Sequence, residues 1–295
     1  MRNVKLILNS DKSVMFTLKK GGKSERRLIY IWRVERGGNM EVNDSNYYSD
    51  EINDAYFSVS QYKQFCRCEA QAMAHYKYPK SEALMVGSYV DAYYEGTLDK
   101  FKENNPDIFL KNGGLKAPYR QAEKIIERCE ADEMFTKFMS GEKQVIKTGE
   151  IEGIPFRIKM DSYHPGEMIV DLKVMKSFRP INGIPVPEYW NYTLQAAVYQ
   201  YIEGNNLPFY LAMVTKDDIP DIAIVEIHQE DMDIELDNLR KRIRHFQDVK
   251  EGKVEAERCG VCNYCKETKK LTAPIFPEEL GLNNNEIKLM RGEIL

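Results

Sequence analysis

The chain reads as an α/β (α+β) protein in which a mixed central sheet is flanked by helices, and three observations predict that class. Strand-like runs at Gln144 to Ile151, Pro155 to Tyr163 and Glu167 to Val174 are parted only by the turn sequences Glu152-Gly153 and His164-Pro165-Gly166, as in an antiparallel meander. Segments with the apolar spacing of helices stand on both sides of that meander. Two further strand-like runs, Phe209 to Thr215 and Ile222 to His228, follow the next helix, so strands and helices share one layered domain.

Taken in order, residues 1–45 form an N-terminal extension with two open readings. Val4 to Leu8, Ser13 to Leu18 and Leu28 to Val34 read as three strands with Gly21-Gly22 as a turn. Alternatively, Glu35-Arg36-Gly37-Gly38 is encodable by a purine-rich run of the ribosome-binding type, which makes Met40 a candidate natural start. From Ser58 to Tyr78, Val59, Tyr62, Phe65, Cys66, Ala70, Met73 and Tyr76 keep near-helical spacing, with Ser58 or Ser60 as N-cap and Pro79 as terminator. Helices are also expected over about Glu82 to Leu98 and Tyr119 to Met139. Another runs from Glu188 to Ile202, with Trp190, Leu194, Ala197 and Tyr201 as its apolar stripe, and Gly204-Asn205-Asn206 stops it. The last starts near Asp231 and carries Leu236, Leu239, Ile243 and Phe246 on one face. The main domain is expected over 46–275, with 276–295 as a tail.

Composition excludes little. Hydrophobic residues make up 43% and charged residues 30%, and the net charge of −4 argues against a general basic coat while allowing a locally positive cleft. No uninterrupted apolar run reaches the roughly 18 residues of a membrane span, and no signal peptide is evident, so a cytoplasmic protein is expected. Six cysteines are unevenly spread: Cys66 and Cys68, Cys129, then Cys259, Cys262 and Cys265. The last three can reach one metal centre from a single short loop, which reads as ligation sooner than as disulfides. Cys129 reads as a buried thiol and Cys66 as packed.

The chemistry concentrates between Met160 and Tyr199. Asp161 ends one expected strand and Asp171 lies in the next, so a hairpin around His164-Pro165-Gly166 brings two carboxylates to one end of the sheet. Two such groups can share a divalent cation that keeps several waters, and Lys173, two positions beyond Asp171, points to the same face. An isolated Asp-x-Lys is usually a solvated edge; here the order of the surrounding elements gives it weight. Gln195 and Tyr199 are one helical turn apart and able to face the same cleft. Lys176 and Arg179 continue past the acidic strand, and Arg240 to Arg244 form a second basic group; both are candidate phosphate contacts. No phosphate loop of the P-loop ATPases is present.

These residues resemble the PD-(D/E)xK nucleases, and within them the RecB-like, RecE-type (exodeoxyribonuclease VIII-like) exodeoxyribonucleases of phages and prophages. The resemblance spans about Asn46 to Leu271. Gly87-Ser88-Tyr89-Val90-Asp91 is similar to the family's first motif, with Asp91 in place of the commoner histidine. Asp161, Asp171-Leu172-Lys173 and Gln195-Ala196-Ala197-Val198-Tyr199 match the second, third and fourth. The resemblance implies a restriction-endonuclease-like core. It further implies Mg²⁺ or Mn²⁺ held by Asp91, Asp161, Asp171 and the Leu172 carbonyl, with Lys173 beside the attacking water. Gln195 and Tyr199 would position nucleophile and phosphate, and Glu95, one turn from Asp91, would support the metal or a water.

Ser58 to Cys68 resembles the first helix of iron–sulfur RecB-like nucleases, which implies Cys68 as fourth ligand and a 4Fe–4S cluster joining both ends of the domain. The last cysteine spacing, two residues instead of the usual five, departs from that family, and Zn²⁺ on the same four thiolates stays open. By the same resemblance the substrate is linear double-stranded DNA resected 5′ to 3′, the partner a single-strand annealing protein, and the assembly a homo-oligomer. Two alternatives stand beside it: a single-strand or flap nuclease similar to the CRISPR adaptation nucleases, and an inactive DNA-binding relative.

Overall fold

The computed structural model describes residues 41–76, 81–271 and 273–292, together with the strands Lys5–Leu8, Ser13–Lys20 and Lys23–Tyr30. Contacts divide the chain into two units, Met1–Glu41 and Val42–Leu295. In the first, β1 (Lys5–Leu8), β2 (Ser13–Lys20) and β3 (Lys23–Tyr30) pair antiparallel in that order. The Gly21-Gly22 turn, residues 31–34 of the third expected strand, the Met40 start and Pro79 lie outside the described residues.

The second unit is built on a five-stranded mixed sheet, as the sequence predicts. β4 (Glu142–Ile151), β5 (Ile154–His164), β6 (Met168–Met175), β7 (Phe209–Thr215) and β8 (Ile222–Glu226) lie side by side in chain order. Only the β6–β7 pair is parallel. Side-chain alternation sorts the central strands between two cores. Ile169, Met175, Phe209, Leu211 and Met213 join one core; Val170, Leu172, Ala212 and Val214 join the other. Asp171 and Lys173 share the first face with Ile169 and Met175, so the acidic strand carries its chemistry on the side where the first core ends.

Helices cover both faces. In chain order they are α1 (Asp50–Ala55), α2 (Val59–Arg67), α3 (Glu69–Met73), α4 (Glu82–Tyr94), α5 (Leu98–Asn104), α6 (Ala117–Glu130) and α7 (Glu133–Phe138). After β6 come α8 (Val186–Tyr189), α9 (Tyr192–Glu203), α10 (Gln229–Lys250), α11 (Asn263–Glu267) and α12 (Asn284–Met290). Residues of α2, α9 and α10 fill the first core, and those of α4, α6 and α7 the second.

Several helices expected as single rods are broken, each for a local reason. The Ser58–Tyr78 helix is interrupted at Cys68, whose backbone is extended (φ −168°, ψ 109°) between α2 and α3. That break is held by long-range bonds: Ala70 N donates to Glu257 O (3.0 Å) and Glu257 N to Glu69 Oε2 (2.8 Å). The Tyr119–Met139 helix stops at Ala131, and Asp132 restarts it by accepting from Phe135 N at 2.9 Å. Asn191, in the left-handed region (φ 52°, ψ 46°), separates α8 from α9. The expected stripe on that helix is therefore corrected: Trp190 and Tyr201 are 42% and 40% exposed, while Leu194, Ala197 and Val198 are buried. On α10, Leu239, Ile243 and Phe246 are buried as the spacing predicts.

Arg157 on β5 fastens α1 to the sheet. It is 2% exposed, donating to Ile52 O (2.9 Å), Tyr56 O (3.2 Å) and Asn53 Oδ1 (2.6 Å). Its guanidinium lies 4.9 Å from the centroid of the Tyr47 ring, a desolvated cation held by carbonyls and a π face in place of a carboxylate, with Nε making no hydrogen bond among the described residues.

Candidate active site

The site begins where β5 and β6 part. Their ladder pairs His164 with Met168, Tyr163 with Ile169 and Ser162 with Val170, and no further. The next residues on the two strands are Asp161 and Asp171, adjacent and on one face. At that point the backbone pairing is replaced by a side chain: Leu172 N donates to Asp161 Oδ2 at 2.9 Å. N–H and C=O of one extended residue leave the same strand edge, so the Leu172 carbonyl faces this gap too.

Each carboxylate is held by two donors. Asp161 Oδ1 accepts from Gln144 Nε2 at 3.2 Å; Asp171 Oδ1 accepts from Gln195 Nε2 at 2.6 Å, and Asp171 Oδ2 is ion-paired with Lys173. A carboxylate offers about four lone-pair positions, so both keep capacity for a further ligand. Gln195 reaches Asp171 from α9. One turn on, Tyr199 is 9% exposed, its ring edge-to-face with Phe209 at 5.9 Å. Asp91 arrives on α4, from the helix layer on the other side of the sheet. Asp91, Glu95, Asp161, Leu172, Lys173 and Tyr199 all line one cavity of about 570 Å³, together with Asp171 and Gln195.

Electrostatics mark this cavity as anion-crowded. Burial, with the Asp171 charge adding to it and Lys173 opposing, pushes the Asp161 carboxyl up to about 8. Burial, again opposed by Lys173 and helped by Asp171 and Glu95, pushes Asp91 up to about 7. Burial alone would lower the Lys173 ammonium, but Asp171 and Asp161 outweigh it and hold its pKa above the ordinary value. Burial also raises the Tyr199 phenol well above its usual range, so it stays a donor at neutral pH. Three desolvated carboxylates and a strand carbonyl form an oxygen-only donor set, which fits a hard divalent cation such as Mg²⁺ or Mn²⁺. The aspartate oxygens do not all lie within 4.8 Å of one another among the described residues. Like charges repel and Lys173 claims Asp171, so a cation would have to draw the three carboxylates together.

Some residues of this cavity carry no sequence motif. Gln144 sits at φ 54° beside Asp161, a left-handed residue inside β4, which costs about 1 kcal/mol and aims its amide at the carboxylate. Lys63 of α2 also lines the cavity; burial first, then the Lys173 charge, lower its ammonium to about 8. Tyr47 and Lys159 complete the wall near α1. Other expected residues are not brought to it. Lys176 and Arg179 are exposed in the segment after β6. Arg240 pairs with Asp237 and Glu152, and Arg244 Nη2 donates to Glu152 O at 2.8 Å, so both sit at the β4–β5 turn.

A second centre joins the two ends of the unit. The Sγ atoms of Cys68, Cys259, Cys262 and Cys265 all lie within 4.8 Å of one another, with Cys68–Cys265 at 3.6 Å and Cys259–Cys265 at 3.9 Å. These four thiols could hold a metal ion. Backbone N–H groups point at the sulfurs: Cys259 N to Cys68 Sγ (3.5 Å), Cys262 N to Cys259 Sγ (3.4 Å) and Cys265 N to Cys262 Sγ (3.4 Å). Burial opposes ionisation of Cys259, but backbone donors from Cys262 and Val261 prevail and lower its thiol to about 7. Gly260 is required in this loop: its φ is +83°, and a Cβ there would meet Asn284 Oδ1 at 2.5 Å. Cys129 is fully buried as expected, whereas Cys66, expected to be packed, is exposed.

A carboxylate pair at a splayed strand junction, a lysine two residues on and a glutamine from the following helix define a PD-(D/E)xK nuclease-like protein. The chain belongs to this superfamily through the family described as PDDEXK-like domain of unknown function (DUF3799), which matches residues 58–268. It is also similar to a crystal structure from Eubacterium rectale reported as "Putative exonuclease". The two share 44% identity with a TM-score of 0.77, over 82% of this chain and 98% of the other. No curated protein matches it. Among the described residues no helix is long and apolar enough to cross a membrane.

Proposed function

We propose that this protein is a divalent-metal-dependent exodeoxyribonuclease that hydrolyses phosphodiester bonds at the ends of linear double-stranded DNA. The carrying observation is the junction of β5 and β6, where Asp161, Asp171, Lys173 and Gln195 form one bonded chain on the wall of a cavity that Asp91 also lines. Asp91, Asp161, Asp171 and the Leu172 carbonyl would hold the cation, which supplies an activated water and charge neutralisation at the phosphate.

The chain's own groups do the rest. Gln195 locks the Asp171 carboxylate in one rotamer through its 2.6 Å bond. Leu172 N and Gln144 do the same for Asp161. The Lys173 ammonium, kept protonated by the two aspartates, orients the attacking water and offsets charge building on the phosphate oxygens. Tyr199, a protonated phenol, donates from the cavity wall. Lys176 and Arg179 lie beyond this wall on an exposed segment and are proposed as contacts to flanking phosphates.

By the RecE-type resemblance we extend the reading to 5′ to 3′ resection in phage recombination, in the bacterial cytoplasm, with a single-strand annealing protein as partner and a homo-oligomer as the processive form. For the cysteine centre we favour Zn²⁺ over the 4Fe–4S cluster. A tetrahedral ion with Zn–S near ~2.3 Å sets sulfurs about 3.8 Å apart, and the 3.6 and 3.9 Å separations support that spacing.

The test is a time course with Mg²⁺ on end-labelled linear duplex, covalently closed circular duplex, single-strand and flap DNA. Mononucleotide release from linear duplex alone, abolished by Lys173→Ala, is the expected result. Cleavage of circles or preference for flaps would replace the exonuclease assignment, and no metal-dependent cleavage of any substrate would remove it.

A further inference from the structure

Lys63 is a lining ammonium whose surroundings the hydrolytic chemistry above leaves unexplained. Its Nζ lies 5.5 Å from the centroid of the Tyr192 ring, and the Nζ of Lys173 lies 4.9 Å from the same centroid. Two ammonium groups therefore share one aromatic ring at the wall of the cavity. Their circumstances differ. Lys173 spends its charge on Asp171, while Lys63 donates to the Trp190 carbonyl at 3.0 Å and forms no ion pair among the described residues.

An ammonium has three donors and a full charge. One backbone carbonyl satisfies one donor and none of the charge, and holding two cations beside a single ring costs repulsion that a structural lysine would avoid by snorkelling to solvent. α2 keeps Lys63 there because its neighbours Tyr62 and Phe65 are anchored in the core, packed edge-to-face and tilted against Phe246 at 5.3 and 5.4 Å. The side chain one position along is thereby directed to the cavity, opposite α9. What such an arrangement lacks, among the described residues, is an ion-pair partner.

We propose that Lys63, steadied by the Tyr192 ring, forms a phosphate-binding subsite for the phosphodiester next to the scissile one. This rests on the nuclease reading for the identity of the polyanion. The aspartates repel any phosphate that approaches without a cation, and Lys173 is committed to Asp171 and the water. Lys63 is then the positive group on the α2 side that receives the neighbouring phosphate and fixes the strand's register across the β5–β6 junction. Tyr192 holds the ammonium by its π face and does not itself contact the reacting atoms.

The experiment measures equilibrium binding of a short duplex with Ca²⁺ replacing Mg²⁺, at several salt concentrations, for the wild type, Lys63→Ala and Lys63→Arg. Each protein's thermal transition is checked beside it. Loss of one phosphate contact is expected to reduce the slope of log K against log salt by about 0.9. It should also weaken binding by about tenfold, as for a charge-assisted hydrogen bond. A duplex with one neutral methylphosphonate at the neighbouring position should bind the wild type about tenfold more weakly and Lys63→Ala no more weakly than the unmodified duplex. Lys63→Arg should restore most of the slope. With Mg²⁺, Lys63→Ala should raise KM more than it lowers kcat.

An unchanged salt slope, or a methylphosphonate penalty equal in wild type and Lys63→Ala, overturns the subsite. Those outcomes with a cleaving wild type leave the nuclease reading intact. A wild type that binds DNA with the Lys63-dependent penalty but never cleaves it overturns the nuclease reading alone.

Discussion

Glu203→Gln tests how the helix bearing Gln195 and Tyr199 is tied to the sheet. Glu203 closes α9, is 6% exposed, and its Oε1 accepts from Tyr163 OH (2.8 Å), Asn205 Nδ2 (2.9 Å) and Lys147 Nζ (3.0 Å). Its Oε2 accepts from Asn205 N (2.9 Å). Burial would raise this carboxyl, but the donors of Asn205, Tyr163 and Lys147 outweigh it and bring it from 4.5 down to about 2. A folded value below the unfolded one stabilises the protein above the unfolded pKa, and the contribution is lost as pH falls from about 5 towards 2. The whole shift corresponds to about 3 kcal/mol, of which about 1 kcal/mol is gone by pH 4 and about 2 kcal/mol by pH 3. Glutamine keeps the shape but cannot titrate, and its single oxygen leaves Asn205 N facing an NH₂ group. Urea unfolding at pH 7, 5, 4 and 3 should show Glu203→Gln less stable by about 2–3 kcal/mol at pH 7, with the gap to wild type closing by those amounts on acidification. A gap that stays constant from pH 7 to pH 3 would refute the reasoning.

Three further outcomes are expected. Because Asp91 and Asp161 stand at about 7 and about 8 through burial and the nearby Asp171 charge, cation binding must expel protons. Mn²⁺ affinity should therefore rise from pH 6 to pH 8.5, and calorimetric heats at pH 7 should depend on buffer ionisation enthalpy; pH-independent binding would contradict this. Cys68→Ser should remove the metal of the cysteine centre, with elemental analysis showing about one zinc per wild-type chain; iron with visible absorption would reverse the assignment. Gln144→Gly should relieve the left-handed strain, changing stability by no more than about 1 kcal/mol, yet slow cleavage because Asp161 loses its amide donor.

What the sequence made legible was local. Asp161, Asp171 and Lys173 lie within thirteen positions on two strands joined by a short turn, so the hairpin itself puts them close together. The four cysteines were legible from spacing and from likeness. Side chains brought in by tertiary packing were not. Lys63 sits in a helix whose apolar spacing says core, and nothing in that spacing shows that its next residue faces a cavity. Gln144 became a site residue through one unusual backbone angle inside a strand. The break at Cys68 follows from bonds to Glu257, nearly two hundred positions away, and periodicity carries no trace of them. Arg240 and Arg244 read as phosphate contacts from charge alone, and charge does not show that their register on α10 brings them to Glu152 at the β4–β5 turn.

The most direct measurement is anomalous diffraction from crystals soaked in Mn²⁺. A peak bonded to oxygens of Asp91, Asp161 and Asp171 and to the Leu172 carbonyl is expected, with the Lys173 ammonium beside it, and no such peak in Asp171→Asn. Manganese bound elsewhere, or none at this junction under conditions where the protein cleaves DNA, would contradict it.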